Sequence, residues 1–462
     1  MAHHSDQEYE VIVFLHRIMT NIKKIPNTYL NLLKQFIAFK SISTDPNFSN
    51  DCKKTALWLE QLFKNSKFET RIDKGKNTNP LVMARYKHDI HAETILVYGH
   101  YDVQPAEQTD GWDHDPFTLT ERDNRLSARG AIDNKGQVLV HIYSILELIK
   151  SNQLKNNIVF MIEGNEESGN LDISTQLLKH KDFLAADYVL ISDGEIVKNR
   201  PTIENSFRGG SNITVNIITA PNNFHSGIFG GGVPSASLVL SQILASLKDD
   251  KNNILVPGFY DGIDSVTGDV IARNSSLATQ DEILALSGVK EILTEYGLDF
   301  YTQTGLRPAL EISGISSGYT GVGYLNIIPA EAEARINIRT APGQSTRIVL
   351  DTLIKHLEKI TPQYAEILIT ESEFSEPIIL NINSEKSKSI QEILEHVYAE
   401  PVAIKNVGGS IPIVSDFVNT MKMNVISVSL ANEDCNMHGV HENFDISTLR
   451  KALEFSDQLF RK

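Results

Sequence analysis

Two segments of the chain carry histidine and acidic side chains of the kind that bind metal ions. Residues 99–102 read Gly-His-Tyr-Asp and directly follow a run of apolar and β-branched residues from 94 to 98. Residues 163–169 read Glu-Gly-Asn-Glu-Glu-Ser-Gly and follow a second apolar run from 158 to 162. Carboxylates this close together repel one another unless a cation neutralises them or protons stay on them. These segments therefore predict a cation-binding site.

Further acids and histidines occur beside other apolar runs. Asp133 precedes apolar residues that recur at helical spacing, Asp193 ends the strand-like run that starts at residue 187, and His438 follows a late strand-like run. Ligands of an open α/β sheet gather outside the carboxyl ends of its strands. We therefore expect these side chains to meet the first two segments at one edge of one sheet.

A mixed set of imidazoles and carboxylates suits zinc, with manganese or cobalt as alternatives. Asp133, Glu167 and Asp193 would offset three of the four positive charges of two divalent ions, which leaves room for one hydroxide. Paired ions of this kind lower the pKa of a bound water and polarise a scissile carbonyl. The residue types predict a two-metal hydrolytic site.

Each residue also has a simpler interpretation when it is taken alone. His100 is typical of a hydrogen-bonded structural histidine, Asp133 of a helix N-cap, Glu166 and Glu167 of a solvated loop, and Asp193 of a turn. Their shared position beside apolar runs favours the metal site.

Composition restricts the classes of function. A length of 462 residues indicates two domains, and a net charge of -15 argues against nucleic acid or an anionic membrane as a partner. Only two cysteines occur, and the acidic N-terminus with its short apolar run at 11–15 lacks the pattern of a signal peptide. No run approaches the roughly 20 apolar residues of a membrane span. We expect a cytoplasmic protein.

Hydrophobic patterning changes along the chain. Predicted helices over 27–40 and 51–65 are followed by strands that are apolar on both faces, which indicates a mostly parallel sheet covered by helices. From about residue 208, strands alternate apolar and polar residues, as at 213–217 and 334–338. The helices predicted in this second region span residues 234–248, 280–296 and 347–360.

The first pattern returns with a predicted helix over 384–399 and a strand over 424–428. We therefore predict an α/β catalytic domain of residues 1–207 and 383–462. A smaller α+β domain of residues 208–382 is inserted into it.

Five motifs in this order make the chain resemble the M20 metallopeptidase family, and within it the carnosine and cytosolic non-specific dipeptidases. The motifs occupy residues 99–105, 129–136, 166–169, 224–227 and 408–412. The resemblance extends over nearly the whole chain. It implies that the inserted domain is a lid that carries the interface of a homodimer.

The resemblance also implies a ligand set for two ions. His100, Asp133 and Asp193 hold one ion, and Asp133 bridges to a second ion that Glu167 and His438 complete. Residue 441 is a further histidine in the same motif, so two candidates exist for the last ligand; the spacing to Glu442 favours His438.

Catalytic roles follow from the same resemblance. Glu166 is the general base that takes a proton from a bridging water, and Asp102 orients His100. His225 reaches from the lid of one subunit into the site of its partner, where it stabilises the oxyanion and contacts substrate.

Three further residues match substrate contacts of the family. Arg339 binds the substrate carboxylate by a bidentate pairing, although taken alone it would be a solvated surface charge. Asn326 and Ser410 match additional contacts. Asn406 stands where such dipeptidases often have an arginine, which affects the expected dipeptide preference but not the hydrolysis.

We therefore expect a two-metal hydrolase that cleaves the amide bond of dipeptides or short peptides through a metal-bridging water activated by Glu166. A deacylase of N-acetyl or N-succinyl amino acids on the same scaffold is the alternative. A non-catalytic binding protein of the same fold is the second alternative.

Overall fold

The computed structural model describes residues 25–170, 172–409 and 411–461, so the N-terminal run at 11–15 and Ser410 lie outside the described residues. None of the helices within these ranges is long and apolar enough to cross a membrane. In chain order the helices are α1 (Asn27–Ile37), α2 (Ser49–Asn65), α3 (Lys135–Lys150), α4 (Ile173–Leu184), α5 (Ser226–Phe229), α6 (Ala236–Ala245), α7 (Gly268–Ser275), α8 (Gln280–Ser287), α9 (Phe300–Leu306), α10 (Thr346–Ile360), α11 (Glu385–Tyr398), α12 (Pro412–Ser415) and α13 (Ile446–Arg461).

Strands precede, separate and follow these helices. They are β1 (Glu69–Asp73), β2 (Leu81–Tyr86), β3 (Thr94–His100), β4 (Thr120–Arg122), β5 (Arg125–Ser127), β6 (Asn157–Glu163), β7 (Tyr188–Ile191), β8 (Thr202–Phe207), β9 (Gly209–Ile218), β10 (Phe224–His225), β11 (Ala309–Ser317), β12 (Ile327–Ile328), β13 (Glu331–Thr340), β14 (Glu366–Ser375), β15 (Ile378–Ile379), β16 (Ala403–Val407), β17 (Asn424–Ser429) and β18 (Asn443–Asp445).

The chain divides into two compact units. The first comprises Met1–Asp172, Ile393–Ala399 and Leu430–Lys462, and the second comprises Ile173–Glu392 and Glu400–Ser429. These limits differ from the predicted domain limits at 207/208 and 382/383, which remain a prediction. Only Arg208 separates β8 from β9, so the chain passes between two sheets of the second unit with almost no connecting loop.

In the first unit, β1, β2, β6 and β3 lie side by side in that order. Strands β3 and β6 are parallel, whereas β2 pairs antiparallel with both β1 and β6. Both β3 and β6 are buried along almost their whole length, as their unbroken apolar runs predict.

Helix α3 packs against β3, α1 and α13, which explains why it is apolar on nearly all sides. Gly99 of β3 permits this close approach. A Cβ atom at Gly99 would lie 2.6 Å from Cγ2 of Val138 in α3, a distance that packed atoms do not adopt.

In the second unit, β17 pairs parallel with β7 and antiparallel with β8, and β8 also pairs parallel with β16 and antiparallel with β15. The predicted α/β class is confirmed. The expected mostly parallel arrangement is not confirmed, because parallel and antiparallel pairs both occur. Short connections such as residues 74–80 between β1 and β2 lead directly into antiparallel pairs, whereas a parallel crossover needs a longer connection.

A second sheet of the second unit is wholly antiparallel, in the order β11, β13, β9, β14. Helices α6 and α10 cover one of its faces, and the core between them includes Ile213, Val215, Ile336 and Ile338. The predicted alternation of these strands is confirmed. The helix predicted over 280–296 is wrong beyond Ser287, because Gly288 takes a left-handed conformation with φ 69° and ends α8.

Candidate metal centre

Parallel pairing of β3 and β6 brings the first two acidic segments together. His100, the last residue of β3, pairs in register with Glu163, the last residue of β6. The chain then continues from one strand into Asp102 and from the other into Glu166 and Glu167. The strand ends therefore place these side chains beside one another in the first unit, as sequence reasoning predicted for this edge.

Asp102 is fully buried and links the two segments. Its Oδ1 accepts the backbone N–H of Glu166 at 3.3 Å, and its Oδ2 accepts that of Glu167 at 3.0 Å. Nδ1 of His100 lies 3.1 Å from the carbonyl oxygen of Asp102 and 3.4 Å from its Oδ1. Asp102 thus contacts His100 and also holds the loop that carries both glutamates.

Asp133 is not the cap of the following helix. Helix α3 begins at Lys135, and Asn134 occupies the N-cap position. The buried carboxylate of Asp133 instead lies between two imidazoles, with Oδ1 3.1 Å from Nε2 of His100 and Oδ2 2.7 Å from Nε2 of His438. Burial raises the pKa of Asp133, but the hydrogen bonds to both histidines outweigh it, so the net pKa is lowered.

The Glu167 carboxylate presents one occupied and one open oxygen. Its Oε2 accepts a hydrogen bond from Nε2 of Gln104 at 2.7 Å and lies 3.3 Å from Nε2 of His438. Its Oε1 is buried and has no hydrogen-bond partner among the described residues. A buried carboxylate oxygen without a partner is costly, which favours a cation at this position.

His438 and His441 are separated by the geometry of their loop. The backbone has positive φ at both residues, 61° at His438 and 59° at His441. The two rings contact different groups. The His438 ring contacts Asp133 and Glu167, and these hydrogen bonds raise its pKa to about 10. The His441 ring packs against Trp112 at 5.7 Å between centroids. The contacts with the acids therefore involve His438, the candidate that spacing favoured.

Asp133, Glu167 and His438 form a donor set that fits a divalent ion. One ligand atom from each residue lies within 4.8 Å of the others. Two carboxylates and one imidazole are ligands that zinc accepts, and two converging carboxylates need positive charge between them. Together with the open Oε1 of Glu167, the set supports a metal site in the first unit.

A buried ion pair that sequence reasoning missed supports two of these ligands. Oε1 of Glu442 accepts the backbone N–H groups of Ile132 at 2.9 Å and Asp133 at 3.1 Å. Its Oε2 accepts Nη1 of Arg129 at 2.7 Å, and Nη2 of Arg129 donates to the His438 carbonyl at 3.0 Å. Glu442 and Arg129 thus connect the main chain of Asp133 with that of His438. The motifs contained both residues, but nothing in their spacing indicated that they meet.

Glu442→Gln is expected to weaken metal binding by roughly 10- to 100-fold, the usual effect of removing a group that orients metal ligands. The amide removes the charge opposite Arg129 and turns an NH₂ toward backbone N–H donors. Competition with a chromophoric chelator measures the affinity. Glu454→Gln, at an exposed position of α13, is the matched control and should change nothing. A loss of thermal stability with unchanged affinity would leave Glu442 a purely structural role.

The remaining predicted site residues belong to the second unit, except Ser410, which is not among the described residues. Asp193 follows β7 and is half-buried. His225 is exposed at the end of β10, which pairs with β12, and its Nδ1 accepts the backbone N–H of Gly227 at 3.0 Å. Asn326 lies beside it, since its carbonyl accepts the N–H of Ser226 at 3.0 Å. Arg339 is half-buried on β13, and burial lowers its pKa.

Comparison with known proteins identifies relatives along most of the chain. Residues 96–462 match the model of peptidase family M20/M25/M40. The Beta-Ala-His dipeptidase of Rattus norvegicus is 30% identical over 377 residues, which cover 80% of this chain and 76% of the relative. The Cys-Gly metallodipeptidase DUG1 of Candida albicans is 28% identical, with 94% of both chains covered. The crystal structure of human carnosine dipeptidase 1 superposes with a TM-score of 0.82 at 27% identity, covering 94% of this chain and 96% of that one.

Proposed function

Because the chain belongs to peptidase family M20/M25/M40, we propose that it hydrolyses the amide bond of dipeptides or short peptides at a site that holds two divalent ions. The observation that carries the proposal is the convergence of Asp133, Glu167 and His438, whose ligand atoms lie within 4.8 Å of one another. Relatives that are dipeptidases by name support the choice of substrate class.

The proposed ligands divide into two sets that share Asp133. His100 and Asp193 complete the first set, and Glu167 and His438 complete the second. The imidazole and carboxylate donors favour zinc, with manganese or cobalt as substitutes. When bound, the two ions lower the pKa of the attacking water and polarise the scissile carbonyl.

Glu166 is the proposed general base. Its carboxylate takes a proton from the attacking water and later passes it to the leaving nitrogen, which avoids expulsion of an amide anion. Asp102 holds the backbone N–H groups of Glu166 and Glu167, so the base is fixed beside a proposed ligand. The proposed base and one proposed ligand, Glu167, therefore lie next to one another on one loop that Asp102 holds.

His225 is the proposed oxyanion donor. Since its Nδ1 accepts a hydrogen bond from Gly227, the neutral ring carries its proton on Nε2, which is then a donor. The exposed ring is open to a second subunit, and we place it in the site of the partner within a homodimer. Asn326 lies next to it as a proposed substrate contact.

Arg339 is proposed to bind the carboxylate at the C-terminus of the substrate, with Ser410 as a further contact. A guanidinium pairs with a carboxylate through two parallel hydrogen bonds, and partial burial strengthens this pairing by excluding water. A free carboxylate is common to dipeptides and N-acyl amino acids. This contact therefore does not separate the proposed peptidase from the deacylase.

Hydrolysis of a substrate panel tests the proposed function. The protein is loaded in parallel with zinc, manganese or cobalt and offered dipeptides, a tripeptide, and N-acetyl and N-succinyl amino acids that share the same C-terminal residue. We expect release of free amino acid from the dipeptides, measured by chromatography. Turnover of the acylated compounds alone would replace the peptidase by the deacylase. No turnover with any of the three metals would contradict both and favour the binding protein.

A further inference from the structure

Two arginines, Arg339 and Arg208, lie near one another at the antiparallel sheet of the second unit. Arg339 of β13 is directly opposite Gly210 of β9. Arg208 immediately precedes β9, and the alternation of that strand, continued by one residue, puts it on the face of Gly210, diagonally across from Arg339. This is the face opposite the core that Ile338 forms with α6 and α10.

Gly210 lets the Arg339 side chain extend across β9. A Cβ atom at Gly210 would lie 3.1 Å from Cδ and 3.4 Å from Nη1 of Arg339, so the guanidinium passes over the position that a side chain would fill. Its charge acts on Arg208. Burial, and after it the charge of Arg339, lower the pKa of Arg208 to about 10.

Arg208 is half-buried, and its side-chain hydrogen bonds to other described residues go to neutral carbonyl groups. Its Nε donates to the carbonyl of Gly408 at 2.8 Å and its Nη1 to the carbonyl of Arg307 at 3.1 Å. Among the described residues, Arg208 has no ion pair with a carboxylate and its Nη2 has no acceptor. Glu311 is the acid whose charge acts on it, but that carboxylate pairs with Lys248 at 2.8 Å.

Two neighbouring cations, one of them without a carboxylate, are an unstable arrangement. A partly buried charge is costly unless it is paired, and like charges raise the cost further. The whole chain carries a net charge of -15, so positive charge is concentrated here against the overall balance. The pair is therefore suited to a ligand with two negative groups.

Resting on the proposed function, we infer that the preferred substrates are dipeptides whose C-terminal residue is aspartate or glutamate. The α-carboxylate pairs with Arg339, and the side-chain carboxylate pairs with Arg208 through the open Nη2. Arg208 is then a specificity-determining residue, and its two carbonyl contacts fix the direction of the guanidinium.

Pairs of isosteric substrates test this inference without any variant. We expect kcat/KM for Ala-Glu to exceed that for Ala-Gln by about tenfold or more, mainly through KM, because a charge-assisted pairing is lost in the amide. Ala-Asp and Ala-Asn should behave in the same way. Equal rates within each pair would overturn the inference while leaving the proposed peptidase intact. Absence of any dipeptide hydrolysis would instead contradict the proposed function.

Substitutions then assign the preference to Arg208. Arg208→Gln should lower kcat/KM for Ala-Glu about tenfold more than for Ala-Gln, whereas Arg208→Lys, which keeps the charge, should retain part of the preference. Arg335→Gln removes an exposed charge from the same strand, β13, and should leave both rates unchanged. A preference for Ala-Glu that survives in a folded Arg208→Gln would contradict the role of Arg208.

Discussion

Glu166→Ala is expected to lower kcat for dipeptide hydrolysis by about 10³-fold while leaving the metal content unchanged. The proposed ligands do not include Glu166, so the ions should remain bound. In the proposed mechanism the variant lacks the carboxylate that accepts the proton of the attacking water and returns it to the leaving nitrogen. Steady-state kinetics with a dipeptide that the substrate panel shows to be hydrolysed measures kcat. Metal analysis of the same preparation measures the metal content.

The adjacent glutamate provides the contrast. Glu167→Gln should lose metal together with activity, because Glu167 belongs to the donor set and its Oε1 has no hydrogen-bond partner among the described residues. If Glu166→Ala kept its turnover, Glu166 would not be the base. If instead it lost metal as Glu167→Gln does, the assignment of base and ligand to these two residues would have to be exchanged.

His438→Ala is expected to remove one of the two proposed ions and to lower kcat/KM by at least about 10²-fold. Nε2 of His438 lies 2.7 Å from Oδ2 of Asp133 and 3.3 Å from Oε2 of Glu167, and it is the imidazole of this donor set. Loss of one ion removes much of the charge stabilisation of the transition state. Metal content after gel filtration, together with the rates, measures the effect.

His441→Ala is the matched control for His438→Ala. The two histidines belong to one loop, but the His441 ring packs against Trp112. We expect His441→Ala to retain both ions and most of its activity. Loss of metal from His441→Ala, with full metal content in His438→Ala, would reverse the choice between them.

Local patterns predicted most of the secondary structure. The runs at 94–98 and 158–162 form the buried strands β3 and β6, because continuous apolar residues suit strands covered on both faces. Predicted helices at 51–65 and 347–360 match α2 and α10 closely, since their amphipathic spacing was clear. The helix from 280 was predicted too long, because the pattern of apolar residues outweighed the glycine at 288.

Positions of the candidate ligands were predictable for the same local reason. Parallel strands end at the same edge, so acids that follow two neighbouring apolar runs must come close. Sequence did not reveal the direction of each side chain. Taken alone, Asp133 was most simply an N-cap. In the structure Asn134 is the N-cap of α3, and the Asp133 carboxylate lies beside His100 and His438.

The sequence by itself determined the α/β class, the acids and histidines at the strand ends, and the family, because these depend on periodicity and on motifs within a few residues. The tertiary structure decided which groups meet across long separations. Glu442 accepts the N–H of Ile132, 310 positions earlier in the chain, and strand register places Arg339 opposite Gly210, where its charge acts on Arg208. Such contacts depend on the tertiary packing of elements that are far apart in the sequence, and no local pattern of residues predicts that packing.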